Sequence, residues 1–174
     1  MEFKKENFEK NMKNRPHLVI LGAGASVAAI PNGDKNGNKT SVMNGFIDKL
    51  GMREVLSSID LKTKSENLED IYSEMDSRND CYDVKKTLEK KIHSYFSSFE
   101  ITDEVTIYDF LLLSLREKDC VATFNWDPLL LQAYQRCHKI TNNLPGLMFL
   151  HGNVSVGTCE KHKIGGLIGN RCKV

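Results

Sequence analysis

Three short apolar runs, each stopped by a small or polar residue, constrain this chain more than any other feature. Residues 17–21 read HLVIL and stop at Gly22; residues 120–124 read CVATF and stop at Asn125; residues 147–150 read LMFL and stop at His151 and Gly152. Continuous apolar runs without alternation fit buried parallel strands. Helical stripes separate them. Val42, Phe46, Ile47 and Leu50 share a face, as do Leu68, Ile71, Tyr72 and Met75. Val84, Leu88, Ile92, Tyr95, Phe96 and Phe99 repeat the pattern over 83–99, and 106–116 is a third apolar-rich helix. Asp127 and Pro128 suit the N-cap and first turn of a helix that runs to about His138. The order strand, helices, strand, helix, strand argues an α/β fold with a parallel sheet and a helical insertion at about 42–118.

Composition narrows the function classes. The chain has 174 residues, 40% of them hydrophobic and 27% charged, which excludes a wholly disordered chain. Its 24 Lys and Arg against 23 Asp and Glu leave a net charge of +1, so no global field draws in nucleic acid or an anionic membrane. No stretch approaches the ~18 apolar residues of a membrane span. The charged opening, MEFKKENFEKNMKNR, lacks a signal-peptide pattern and reads as a short helix or loose arm, so a cytoplasmic location is expected. Five scattered cysteines then read as thiols or metal ligands, not a disulfide framework. Residues 30–41, dense in Pro, Gly, Asn and Asp, are loop.

Ligands of an open parallel sheet bind beyond the carboxyl ends of its strands. Gly22-Ala23-Gly24-Ala25-Ser26, Asn125-Trp126-Asp127 and His151-Gly152 stand there. A strand-Gly-x-Gly turn lets backbone approach a pyrophosphate closely, or is simply a tight strand-to-helix turn. Asn125 orients a hydroxyl or a water, or closes an Asx-turn or cap. Asp127 is a cap, though a cap also reaches a ligand. Trp126, the one Trp, reads as core. His151 is the side chain suited to proton transfer near neutral pH. Cys159, His162 and Cys172 are either three zinc ligands short of a fourth or unrelated residues of a loop.

Together the three strand ends resemble a sirtuin. Gly-Ala-Gly-Ala-Ser at 22–26, followed by Ile30 and Pro31, is similar to the family's GAG-x-S…IPDFR segment. Thr123-Phe124-Asn125-Trp126-Asp127 resembles its TQNID, and Leu150-His151-Gly152 its LHG. Cys159 falls at about the interval of its first zinc cysteine. The departures are Asn32, Gly33 and Asp34 in place of Asp-Phe-Arg, TFNWD for TQNID, and His162 at the second zinc position. The nearest likeness is to the NAD-hydrolysing sirtuin-like proteins of bacterial antiphage defence.

The resemblance implies a Rossmann-like three-layer fold, here C-terminally incomplete, with an arm at 1–16, an NAD-binding domain at 17–158 and the start of a zinc-binding or loop segment at 159–174. It implies NAD as substrate and release of nicotinamide and ADP-ribose. Gly22, Ala23, Gly24, Ala25 and Ser26 would hold the phosphates and nearby ribose, with Pro31, Asp34 and Thr123 beside the ligand. Asn125 would orient the water, Asp127 would contact the nicotinamide carboxamide, and His151 would act as base. Control by homo-oligomer assembly or a regulatory protein partner is expected of such an enzyme. The alternatives are a catalytically silent module that senses NAD or ADP-ribose, and an NAD-dependent protein deacylase.

Overall fold

The three apolar runs lie side by side. In a computed structural model, which describes residues 5–40 and 45–168, β1 (Leu18–Leu21), β2 (Cys120–Thr123) and β3 (Gly146–Phe149) form a parallel sheet in the order β1-β2-β3. Leu21 stands beside Thr123 and Thr123 beside Phe149, so all three strands end at one level. The protein is a mixed α/β molecule.

Helix α1 (Lys5–Asn14) precedes the sheet and α2 (Ala23–Ala29) follows β1 directly. The insertion before β2 contains α3 (Phe46–Lys49), α4 (Arg53–Ser57), α5 (Leu68–Asp76), α6 (Tyr82–Ser97) and α7 (Ile107–Ser114). Helix α8 (Leu129–His138) joins β2 to β3. Local chemistry sets the helix ends. The Asn67 carboxamide accepts the Glu69 N–H at 2.8 Å, and Glu69 and Asp70 complement the dipole in the first turn of α5. Thr106 and Asp109 form a reciprocal capping box on α7. Leu68, Ile71 and Met75 of α5 and Leu88 and Phe96 of α6 are buried. Phe46, Tyr95, Phe96 and Phe99 interlock with ring centroids 5.0–5.4 Å apart, each such pair contributing ~0.5–1.5 kcal/mol beyond burial.

Four expectations need correction. Of the helix expected from Val42 to Leu50, residues 42–44 lie outside the described residues, and the described part is the single turn α3. Gly45 (φ 70°) precedes it and Gly51 (φ 60°) closes it, both in the left-handed region, so α4 is a separate helix. Pro128, not Asp127, is the N-cap of α8, while the Asp127 carboxylate still accepts the Leu129 N–H at 3.1 Å. Within residues 159–174, expected as the start of a zinc-binding or loop segment, β5 (Ile164–Leu167) pairs antiparallel with β4 (Val156–Cys159).

The fourth concerns the sheet faces. Val19, Leu21, Val121 and Leu147 pack against the core, but Leu18 (62% exposed), Ile20 (61%) and Met148 (52%) point the other way. Right-handed crossovers in a 1-2-3 strand order put successive helices on the same face. Among the described residues the helices accordingly cover one face, and β1 is not buried on both.

Candidate functional site

The level strand ends bring the expected residues together. Asn125 donates both amide hydrogens inward, to the Gly22 carbonyl at 3.0 Å and to Ser26 Oγ at 2.8 Å. It thereby ties the turn after β1 to the segment after β2. Its own N–H is held at 3.0 Å by Thr123 Oγ1, and Thr123 is 1% exposed. Thr123 thus orients Asn125 from behind.

Ser26 is the hub. Its hydroxyl donates to Asp127 Oδ2 at 2.6 Å and lies 2.8 Å from the Tyr108 hydroxyl. A serine has one proton to give. With that proton directed at Asp127, the Tyr108 hydroxyl donates to Ser26 Oγ, as does the Asn125 amide. Burial pushes the Tyr108 phenol well above its ordinary value, and the nearby Asp127 charge adds to this, so Tyr108 stays a donor. Burial also pushes the Asp127 carboxyl up, opposed by its bonds from Ser26 and the Leu129 N–H. Asn153 closes the third side, donating to the Asp127 carbonyl at 2.6 Å, while the Val154 N–H reaches the Trp126 carbonyl at 3.0 Å.

A cavity of about 250 Å³ opens beside this network. Ala23, Asn125, Asp127, Trp126, His151 and Glu69 are among the residues lining it. His151 is exposed at its mouth and meets the Phe124 ring edge-to-face, centroids 4.9 Å apart. Trp126 is half-buried and packs on Phe96 at 5.7 Å, so it serves the core and the cavity wall at once. The turn itself is open: a Cβ built on Gly22 or Gly24 would meet nothing within 4 Å. Packing inside the chain does not require glycine there.

Other expected residues stand elsewhere. Pro31 is exposed and does not line this cavity. Asp34 is buried and its carboxylate is spent on backbone, accepting from Asn36 (2.9 Å) and Asn38 (2.7 Å) in its own loop and from Glu100 (3.1 Å) after α6. Ala25 is half-buried against the core. Cys159 Sγ and His162 Nδ1 lie 3.6 Å apart on the β4–β5 hairpin, and Cys172 lies outside the described residues. Among the described residues no group of three donors is placed to hold a metal ion.

Tyr108, Asn153 and Glu69 belong to the site without having been expected. Asn153, two residues past His151, had the one usable signal, a polar side chain just beyond a strand end. Tyr108 and Glu69 come from the insertion, where nothing in the sequence distinguishes them from surface and core positions. No protein-family model and no curated protein matches this chain.

Proposed function

We propose that the protein is a sirtuin-like NAD hydrolase, releasing nicotinamide and ADP-ribose, of the kind that serves bacterial antiphage defence. The observation that carries this reading is the pairing of an open Gly22-Ala23-Gly24 turn with the Asn125–Ser26–Asp127 network on one cavity. Glycines that nothing inside the chain crowds make sense where a phosphate approaches the backbone. At about 250 Å³ the cavity is below the ~300–1,000 Å³ that encloses a whole drug-sized ligand, so it suits one end of a dinucleotide. The phosphates then lie along the glycine turn, in a Rossmann-like arrangement.

The chemistry matches the donor set. The pyridinium of NAD leaves as neutral nicotinamide, and the electron pair of the broken C–N bond stays on the ring nitrogen. No acid is needed at that atom. The site must stabilise a ribosyl cation and place water. Asp127, fixed by Ser26 and Leu129, supplies negative charge in a water-poor wall. Asn125, with its amide hydrogens spent inside the protein, offers its carbonyl oxygen to a ribose hydroxyl or the water. His151 takes the proton of the attacking water.

The test is incubation of the protein with NAD, with and without an acetyl-lysine peptide, and quantification of nicotinamide and ADP-ribose. Peptide-independent release of both in equal amounts is expected. Release that requires the peptide would instead identify a deacylase, and ADP-ribose binding without release a sensing module.

A further inference from the structure

Behind the inner cavity lies a larger groove of about 630 Å³, between α5, α6 and the loop after β3. This size falls within the ~300–1,000 Å³ range of small-molecule sites. Glu69, Trp126 and His151 line both spaces, so the groove is a neighbour of the inner cavity and shares these side chains with it. Its walls are apolar and aromatic: Leu68, Tyr72, Ile92, Val154 and Trp126. Glu69 and Glu89 line it beside His93 and His151, and no lysine or arginine does. Two lysines stand at its edge: Lys85 Nζ lies 6.0 Å from the Tyr72 ring centroid and holds Asp76 at 2.7 Å, and Lys86 holds Glu89 at 2.8 Å. Glu89 is doubly satisfied, also accepting from the Tyr72 hydroxyl at 2.8 Å. Glu69 is different: its carboxylate has no hydrogen bond or ion pair among the described residues.

We propose that this groove is a binding site for a small aromatic or apolar cation, seated against the Trp126 ring with Glu69 as its counter-charge. The indole face and a carboxylate with no partner among the described residues both attract a poorly hydrated cation, and both repel an anion. A phosphate-bearing ligand end is excluded by the same charges. Two sources of such a cation exist: the pyridinium end of a dinucleotide reaching past Glu69, or a separate organic amine. The binding claim does not rest on the NAD reading, because it is read without turnover.

Trp126 is the only tryptophan, so its fluorescence reports a ligand in either space it lines, and Val154, which lines the groove and not the inner cavity, tells the two apart. The protein is titrated with benzylamine, benzyl alcohol and benzoate. Saturable change in Trp126 emission is expected, with benzylamine tightest and benzoate weakest. Glu69→Gln should weaken benzylamine about tenfold while leaving benzyl alcohol within about twofold, which also shows that the variant is folded. Val154→Lys, which plants a cation in the wall, should reverse the preference toward benzoate. ADP-ribose and NAD then identify the source. Displacement of benzylamine by NAD but not by ADP-ribose assigns the groove to the pyridinium; displacement by neither assigns it to a separate amine. No saturable signal, or an amine preference that survives both substitutions, would overturn the proposal.

Discussion

Gly24 separates a structural from a ligand-binding role more cleanly than any other residue. It sits inside α2, where glycine costs helix stability relative to alanine, and the space around its missing Cβ is open. Gly24→Ala should therefore raise unfolding free energy by ~0.5–1 kcal/mol, measured by chemical denaturation. If a pyrophosphate lies against this backbone, the same methyl should weaken NAD or ADP-ribose binding roughly tenfold or more in a calorimetric titration. Stabilisation without loss of affinity would move the phosphates away from the turn.

At the scale of elements, Asp34 is a structural clamp. It ties the loop after α2 to Glu100, between α6 and α7. Burial alone would raise its carboxyl; the N–H groups of Glu100 and Asn38 outweigh that and hold it below 3.8. A carboxyl depressed in the folded state stabilises at pH above its unfolded pKa, and that contribution is lost as pH falls through the folded value. Asp34→Asn should cost ~1–3 kcal/mol at neutral pH, since an amide hydrogen would face the Glu100 N–H. The deficit should shrink on acidification below pH ~4, where wild type loses the same contribution. Equal stability at pH 7 would remove the clamp.

Elements also show where sequence reading works. The strands and their ends are legible because Gly22, Asn125 and His151 each interrupt an apolar run, and parallel register carries those interruptions to one edge. Helix α5 is legible from its stripe, while its Asn67 cap emerges only in the structure. The break between α3 and α4 is not, because it depends on the left-handed backbone at Gly45 and Gly51 and not on hydrophobic spacing. The open sheet face is not legible either, since an apolar strand reads the same whether one side or both are covered. Tyr108 escaped notice because its partner Ser26 is 82 residues away, and no local pattern encodes that contact.

On the scale of the whole molecule, a short parallel sheet presents a polar network at its carboxyl end while a helical insertion builds the outer wall. The inner cavity and the outer groove are adjacent and share Glu69, Trp126 and His151 in their walls. No described helix is long and apolar enough to cross a membrane. The central claim is that Asn125 holds the reacting end of NAD in the inner chamber. The measurement that tests it most directly is nicotinamide release by wild type and Asn125→Ala, with circular dichroism confirming that both are folded. Loss of the amide's two inward bonds should cost ~1–2 kcal/mol of stability and leave the fold intact. Release by wild type that falls ~100-fold or more in the variant is the expected result. Equal release by the two proteins, or none by wild type, would contradict it.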